Sequence, residues 1–449
     1  MKKSIVILIY FAVLHASAQN NNVIKGNFST AKETEIRLMG FLGTKDTLLA
    51  QSITDASGKF QLQYQKKYNG AASLQVKETT NLIVLLNNEN FEITWPDFKD
   101  FNSVKFTNSK ENESFQQAYT LNTDVQKKLA GLNYLLPLYK NNINKKKWIA
   151  KLEYEISNEN SRIEDYQKIL LNTMYFKGYL NFRIVLQKLQ KENKTKAEEI
   201  EVENSFLAID FNDVNLFYSG LTKELFDAYI KQLFTLQNEM LIVTKLNAFS
   251  DVLKKSIQGN TKVLNQYSEY LIKEYEKFGL VNCAEHLAMS LLNDNKCLID
   301  SKTLPILEQY KKMTIGNKAA DILFSNGLKY AKLSELPAKF KIVLFGASWC
   351  EACKNEIPQF KDYAKTFKTK YDAEIVFISI DTDKEKHDVF VKDLPFINSC
   401  DYQGWESPNV KNYYIFSTPS IYVLDVENKI VAKPMNAIDT AKWLYENRQ

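Results

Sequence analysis

The sequence predicts a multidomain chain with a β-rich N-terminal domain, an all-α middle region and a C-terminal α/β domain. Its 449 residues exceed what one hydrophobic core usually serves, which is about 100 to 200 residues. Only 14 Gly and 9 Pro are present, and this disfavours a turn-dense β architecture over the whole length. The apolar pattern also changes along the chain, from alternation to a helical period and then to strands that alternate with helices.

A secretory signal peptide is predicted over residues 1–18. Two lysines at 2–3 precede an apolar run over 5–14, and Ala-Ser-Ala at 16–18 matches a cleavage site. The run is about half of the ~20 residues that a membrane-spanning helix needs, so an uncleaved anchor is the less favoured alternative. Export would place five cysteines where disulfides persist.

Composition and charge exclude two broad classes of protein. Hydrophobic residues make up 45% of the chain and charged residues 25%, which excludes global disorder. The 58 Lys and Arg against 53 Asp and Glu leave a net charge of +5. This balance does not supply the concentrated basic face of a nucleic-acid-binding protein.

Residues 19–108 are predicted to form a small β-sandwich or barrel. Short runs of alternating apolar residues are separated by turn residues, and Thr54–Gly58 reads as a hairpin-like turn between two of them. The segment contains no His or Cys, so it offers few metal ligands or nucleophiles. The predicted strands are Glu35–Met39, Asp46–Ser52, Phe60–Tyr64, Ala72–Val76, Leu82–Leu86 and Phe91–Trp95.

Residues 109–312 show the helical period. Apolar stripes are typical of buried packing, with a ligand groove as the alternative. Gly279 is expected to end one helix, and Asn282-x-x-Glu285 resembles a capping box that opens the next. The stripes comprise Trp148, Leu152 and Ile156; Leu225, Phe226, Tyr229, Ile230, Leu233 and Phe234; and Tyr267, Leu271, Tyr275 and Phe278.

Residues 313–449 alternate between strand and helix, which is typical of an α/β layer architecture. Asn326-Gly327 predicts a hairpin turn within 322–330. An apolar strand over Ile342–Phe345 leads directly into a helix predicted to run to about Thr369. The remaining predicted elements are a strand over Glu374–Ile380, a helix over Lys384–Asp393, a hairpin over Ser420–Asp425 and Lys429–Ala432, and a helix over Ala437–Glu446.

Cys350-Glu351-Ala352-Cys353 lies between that strand and the start of that helix. Unpaired N–H groups at a helix start stabilise a thiolate, so the pKa of Cys350 should fall below the ordinary ~8.5. Cys353, one turn away, is placed to resolve a mixed disulfide on Cys350. A zinc site would need two more ligands at suitable spacing, and none are apparent. The other alternative is a permanently oxidised structural disulfide between the two cysteines, with no redox activity.

The run Phe345-Gly-Ala-Ser-Trp-Cys-Glu-Ala-Cys-Lys-Asn-Glu-Ile-Pro358 resembles the active-site segment of the thioredoxin-like superfamily, and is most similar to its exported TlpA/ResA-like thiol-disulfide oxidoreductases. Pro358 matches the proline that kinks the active-site helix. Thr418-Pro419-Ser420 matches the loop whose proline is cis and faces the cysteines. The resemblance covers residues 313–449 and implies a thioredoxin-like fold for them.

The resemblance implies roles for five residues. Cys350 would be the nucleophile and Cys353 the resolving thiol, and together they would form a redox-active disulfide. Thr418 and Pro419 would bind an extended substrate segment by backbone pairing. Trp349 would contact substrate or pack under the loop. No cofactor and no metal are expected.

The chain departs from the family pattern at Leu344, where many thioredoxins carry a buried acid. Proton transfer to Cys353 would then use water or a local carboxylate, and Glu351 and Glu356 are the candidates. The dipeptide between the cysteines contains no cation. A thiolate that is less stabilised has a lower reduction potential, which favours a reductase or isomerase.

The resemblance also indicates partners and location. Client proteins with disulfides or thiols would be the substrates, and a membrane thiol-relay protein of the DsbD/CcdA kind would donate electrons. The upstream β-rich and helical regions resemble those of exported thioredoxin-like proteins from Gram-negative bacteria, so the periplasm is expected. The competing hypothesis is an envelope binding or assembly protein in which the thioredoxin-like domain is a docking module.

Three further cysteines remain. Cys283 and Cys297 are candidates for a structural disulfide, although a helix from Cys283 would carry the chain away from such a bond. Cys400 follows a predicted strand end, ahead of Trp405, on a loop that is a candidate neighbour of the active site. A buried, inert thiol is the default for Cys400, and an auxiliary redox role is the alternative.

Overall fold

The computed structural model describes residues 21–77, 80–192, 194–294, 299–324 and 328–448. The predicted signal peptide, Cys297 and the Asn326-Gly327 turn lie outside these residues. Within them, strands, then helices, then an α/β region follow one another in the predicted order, which confirms the fold class. Contacts between Cα atoms divide the chain into two compact units after Gln232. The domain boundaries at 108 and 312 stay predictions.

The first unit begins with a β-sandwich made of two four-stranded sheets in the orders β4-β1-β7-β8 and β3-β2-β5-β6. All neighbouring strands are antiparallel except β1 and β7. Alternate side chains from both sheets share one apolar core, as the period of two predicts. The strands are β1 Asn21–Asn27, β2 Glu35–Leu42, β3 Lys45–Ile53, β4 Lys59–Gln65, β5 Gly70–Val76, β6 Thr80–Leu86, β7 Phe91–Thr94 and β8 Lys105–Thr107.

The turn over Thr54–Gly58 is present, but the prediction of a hairpin was wrong. The Asp55 carboxylate accepts hydrogen bonds from the N–H groups of Ser57 and Lys59 at 2.8 and 2.9 Å. The turn joins β3 to β4, which belong to different sheets of the sandwich. Local turn chemistry is the same in both cases, so the sequence signal does not reveal which strands pair.

Helices complete the first unit. The face of α6 that carries Leu225, Phe226 and Tyr229 is fully buried, so this stripe forms core and not a groove. Trp148 of α2 remains 44% exposed, whereas Leu152 on the same stripe is buried. The helices are α1 Lys110–Tyr139, α2 Lys146–Ile169, α3 Tyr175–Gln190, α4 Lys196–Leu207, α5 Val214–Phe217 and α6 Thr222–Leu233.

The second unit begins with helices α7 Glu239–Ser256, α8 Thr261–Lys277, α9 Val281–Leu292 and α10 Leu304–Lys312. Gly279 ends α8 with a φ of 72°, as predicted. The N–H of Leu280 donates to the Tyr275 carbonyl and that of Gly279 to the Glu276 carbonyl, which is a Schellman motif. The predicted capping box at Asn282 was wrong, because α9 already begins at Val281 and Leu280 is its N-cap without a side-chain hydrogen bond.

The C-terminal region contains a five-stranded sheet in the order β11-β10-β9-β12-β13. Strands β9 to β11 are parallel, and β12 and β13 run antiparallel to their neighbours. All seven residues of β9 are buried, as expected for a central strand. The strands are β9 Phe340–Gly346, β10 Ala373–Ser379, β11 Ile397–Cys400, β12 Ser420–Leu424 and β13 Ile430–Ala432.

In the described part of this region, five helices accompany the sheet, and Phe360, Phe367 and Leu444 anchor two of them in its core. The active-site helix is divided at Ile357 and Pro358, because proline has no N–H to continue the helical ladder. No helix in the described ranges combines the length and hydrophobicity of a membrane-spanning segment. The helices are α11 Glu351–Glu356, α12 Gln359–Tyr371, α13 Lys384–Val391, α14 Pro408–Asn412 and α15 Ala437–Glu446.

Candidate active site

The two cysteines of the Cys-x-x-Cys motif form a disulfide at the start of α11, with their Cα atoms 5.2 Å apart. Cys350 is the N-cap residue, and its Sγ accepts a hydrogen bond from the Cys353 N–H at 3.1 Å. Cys350 is 9% exposed and Cys353 is fully buried. The sulfur of Cys350 is therefore the one that a partner molecule can approach.

Cys353 fits its buried position because Gly346 has no side chain. A Cβ atom on Gly346 would lie 3.3 Å from the Cys353 Sγ and 3.0 Å from the Phe377 ring. Both distances are tighter than ordinary contacts. Gly346 therefore lets the sulfur pack directly against the end of β9.

The loop with Thr418 and Pro419 lies beside the disulfide. Strand β12 begins at Ser420, which pairs with Phe345 at the end of β9, so sheet pairing brings the loop to the cysteines. The Thr418–Pro419 bond is cis, as the resemblance implies. The Thr418 carbonyl oxygen lies 3.4 Å from the Cys350 Sγ.

An aromatic pair lies next to the nucleophile candidate. Trp349 is 51% exposed, and its ring centroid lies 6.3 Å from that of Trp405, which is 42% exposed. The loop after Cys400 thus approaches the active site, as the sequence suggested. The sequence alone did not assign Trp405 to the site.

The two candidate proton-transfer carboxylates lie in different surroundings. The Glu351 side chain is 82% exposed and forms an ion pair with Lys354 at 2.6 Å. Glu356 is half-buried, and its Oε1 accepts a hydrogen bond from the Ala437 N–H at 2.6 Å. Leu344, at the position of the usual acid, is fully buried and apolar.

A buried carboxylate does lie near the site, but just after the end of the neighbouring strand β10, where sequence reasoning missed it. Asp381 follows β10 and is fully buried. It accepts hydrogen bonds from the Ser348 N–H at 3.1 Å, the Ser348 Oγ at 2.7 Å and the Ser379 Oγ at 2.7 Å. The available signal was its place after an apolar parallel strand, because the carboxyl ends of such strands meet at one edge of the sheet.

Two further titratable groups, His387 and Cys400, lie within 3.6 Å of Asp381 atoms. The His387 Nδ1 is 3.6 Å from the Asp381 carboxylate, and burial lowers the pKa of His387 despite the attraction of Asp381 and Asp388. The Cys400 Sγ lies 3.5 Å from the Asp381 carbonyl oxygen, and burial raises the pKa of this thiol. Among the residues that the structure describes, neither group is hydrogen-bonded to the Cys350 sulfur.

The remaining cysteine is Cys283, in α9. It is fully buried, and burial raises its pKa to about 12. Its proposed partner, Cys297, lies outside the described residues. Within the described ranges, no group of three or more His, Cys, Asp or Glu residues is placed to hold a metal ion.

The chain was compared with known families and curated proteins. Residues 315–433 match the model of the AhpC/TSA family. The chain is 29% identical over 111 residues to thiol-disulfide oxidoreductase ResA from Bacillus subtilis (strain 168), which covers 24% of this chain and 58% of that protein. It is 36% identical over 76 residues to probable nucleoredoxin 3 from Oryza sativa subsp. japonica, which covers 17% of this chain and 16% of that protein.

Solved structures are also similar to this chain over part of its length. A thiol-disulfide oxidoreductase from Bacteroides fragilis NCTC 9343 is 25% identical, with a TM-score of 0.27, over 29% of this chain and 99% of its own. A thioredoxin-like protein from Bacteroides caccae ATCC 43185 is 15% identical, with a TM-score of 0.38, over 54% of this chain and 93% of its own.

The matched region contains the five-stranded sheet, the disulfide at a helix start and the cis-proline loop. The chain spans less than two thirds of either curated relative. For residues 315–433, the sequence match and the observed architecture together identify a thioredoxin-like domain similar to the AhpC/TSA and ResA-like proteins.

Proposed function

We propose that this chain is an exported thiol-disulfide oxidoreductase that reduces or isomerises protein disulfides through Cys350 and Cys353. The observation that carries the proposal is the disulfide at the start of α11, whose less buried sulfur lies 3.4 Å from the Thr418 carbonyl oxygen. The relative with the longer match is itself named a thiol-disulfide oxidoreductase.

The reaction begins with the reduced pair. The Cys350 thiolate attacks one sulfur of a client disulfide, a new S–S bond forms between them, and the other client sulfur leaves as a thiolate. Cys353 then loses its proton and attacks Cys350. This releases the second client thiolate and forms the Cys350–Cys353 disulfide, so the client gains the two electrons that the pair loses.

The surroundings supply the other roles. Thr418 and Pro419 bind an extended client segment beside the sulfur, and Trp349 contacts it with its exposed ring. Glu356 takes the proton of Cys353, directly or through water, because it is the less exposed of the two candidates. Thiol titration of Glu351→Gln and Glu356→Gln variants tests this role. Profiles that match the wild type in both variants would exclude it.

The residues at the start of α11 bear on the direction of electron flow. Glu351 and Ala352 separate the cysteines and provide no cation to stabilise a Cys350 thiolate further. A less stabilised thiolate corresponds to a lower reduction potential, so we infer reductase or isomerase activity. In the periplasm of a Gram-negative bacterium, a membrane thiol-relay protein of the DsbD/CcdA kind would restore the reduced pair.

The proposal is tested by an equilibrium redox titration of the full chain, followed by alkylation and mass mapping. We expect one reversible two-electron couple that maps to Cys350 and Cys353, and loss of this couple in Cys350→Ser. A Cys353→Ser variant should accumulate a mixed disulfide with an offered client, because the resolving thiol is absent. A pair that never cycles would favour the alternative, a binding or assembly protein that uses this domain for docking.

A further inference from the structure

A small cleft lies beside the cis-proline loop, and its two walls come from different parts of the second unit. One wall is formed by Pro419, Ser420 and the segment Lys433–Met435. The other is formed by Glu239 and Val243 of α7 and by Gly279–Asn282, the connection that leads into α9. The cleft has a volume of about 80 Å³, several times the ~10–15 Å³ that one water molecule requires on the same measure, so a small polar group of a ligand can enter it.

The helical wall is held in place by buried polar contacts. Lys433 and Glu285 form an ion pair, with side chains only 9% and 17% exposed. The Glu276 carboxylate accepts hydrogen bonds from the Tyr310 hydroxyl at 2.6 Å and from the Tyr414 hydroxyl at 3.1 Å. Tyr414 precedes strand β12 in sequence and Lys433 follows it. These contacts therefore hold α8 and α9 against the region that contains the cis-proline loop.

The approach of the two walls is close. A Cβ atom on Gly279 would lie 3.6 Å from both the Cβ and the Oγ of Ser417. A Cβ atom would therefore be in ordinary contact there, and it is the positive φ at the end of α8 that favours glycine at this position. The cleft therefore begins immediately beside the Thr418–Pro419 bond.

Asn282 is the side chain in this wall that carries both a hydrogen-bond donor and an acceptor for a polypeptide. It is half-buried, lines the cleft, and makes no hydrogen bond to any described residue. It is also free of a capping role, since α9 begins before it. A carboxamide carries a carbonyl acceptor and two N–H donors, so it can pair with the N–H and C=O of one peptide unit.

We propose that Asn282 binds the client backbone, and that the helices upstream of the thioredoxin-like domain form the second wall of its client-binding groove. This inference rests on the proposed function. The ligand is an extended polypeptide segment next to a disulfide, held between the cis-proline loop and the start of α9. A small disulfide without peptide bonds does not use this wall.

The test compares two disulfides that release the same group. One is a short peptide of Gly, Ser and Ala whose single cysteine is joined to thionitrobenzoate, and the other is the thionitrobenzoate dimer, which has no peptide bond. The full chain is reduced, the reductant is removed, and the rate constant of thionitrobenzoate release is measured. The variant is Asn282→Leu, which keeps side-chain volume and removes the hydrogen-bonding groups. Asn293→Leu, at the exposed opposite end of α9, is the matched control.

We expect Asn282→Leu to lower the rate constant for the peptide about fivefold, as the loss of one or two hydrogen bonds implies, and to leave that for the dimer unchanged. Asn293→Leu should change neither. Equal rates for wild type and Asn282→Leu with the peptide, or an equal loss with both substrates, would overturn the proposal. If Asn282→Leu lowers the thermal unfolding midpoint, Asn282→Ala takes its place under the same criteria.

Failure of the proposed function gives a different result. If Cys350 and Cys353 do not cycle, the wild type either does not react or ends as a mixed disulfide with the substrate, and mass mapping after the reaction finds no newly formed Cys350–Cys353 disulfide. If the wild type is active but the Asn282 variants affect both substrates alike, the proposed function stands and only the role of the helical wall in client binding is excluded.

Discussion

Replacing Asp381 with alanine should strongly destabilise the unit that contains the active site. The fully buried carboxylate accepts hydrogen bonds from the Ser348 N–H, the Ser348 hydroxyl and the Ser379 hydroxyl, at 3.1, 2.7 and 2.7 Å. An unsatisfied buried donor costs about 1–3 kcal/mol. The two hydroxyls can rotate toward other acceptors, so each of their lost hydrogen bonds costs only about 0.5–1.5 kcal/mol. Together with the N–H, which cannot rotate, we expect a total loss of about 2–6 kcal/mol.

The assay is urea unfolding of the oxidised full chain, followed by tryptophan fluorescence, because Trp349 and Trp405 report on this unit. Asp383→Ala is the matched control, since Asp383 is a partly exposed N-cap whose carboxylate accepts from the N–H groups of Glu385 and Lys386. Loss of an N-cap costs about 1 kcal/mol. Asp381→Asn, which retains one acceptor, should fall between the two alanine variants.

One result would refute this reasoning. If Asp381→Ala and Asp383→Ala lower the free energy of unfolding equally, the hydrogen bonds to Ser348 and Ser379 do not hold the active-site loop. Asp381 would then contribute to stability only through the packing of its side chain and not through these hydrogen bonds.

Two other predictions follow from burial. Because burial lowers the pKa of His387 below 6.5, the unfolded state binds its proton first, and stability should fall as pH drops through 6.5. Urea midpoints at several pH values should show this loss in the wild type and less of it in His387→Phe. The control is His286→Gln, at a partly exposed histidine of α9 that pairs with Asp251, and it should retain the loss. In the reduced native chain, iodoacetamide should modify Cys350, and should modify Cys283 and Cys400 only after denaturation, since burial raises the pKa of both. Mass mapping checks this, and native labelling of Cys283 would contradict it.

Much of the thioredoxin-like domain was predictable because its signals are local. The apolar run before Cys350, the cysteine spacing and the Thr418-Pro419 pair each specify a short conformation. The β-sandwich strands were predictable for the same reason, since alternation with a period of two marks a half-buried strand. The structure adds that Gly346 makes room for the Cys353 sulfur.

The features that were missed depend on residues far apart in sequence. Asp381 lies 33 residues from Ser348, and only the parallel pairing of β9 and β10 brings them together. The turn at Thr54 looks the same whether it joins paired strands or separate sheets. Asn282 matched a capping box, but after the Schellman motif at Gly279 the next helix begins two residues too early for that role.

The Cys350 sulfur also holds the first turn of α11, because it accepts the Cys353 N–H. The same sulfur atom therefore serves both the redox reaction and the helix cap. The conclusion that can be drawn from an inactive variant depends on whether its new side chain still caps the helix. Serine at this position retains an acceptor for the N–H, so Cys350→Ser isolates the loss of redox chemistry. Alanine removes both the sulfur and the hydrogen-bond acceptor. A loss of stability in Cys350→Ala could therefore come from the missing helix cap as well as from the missing disulfide.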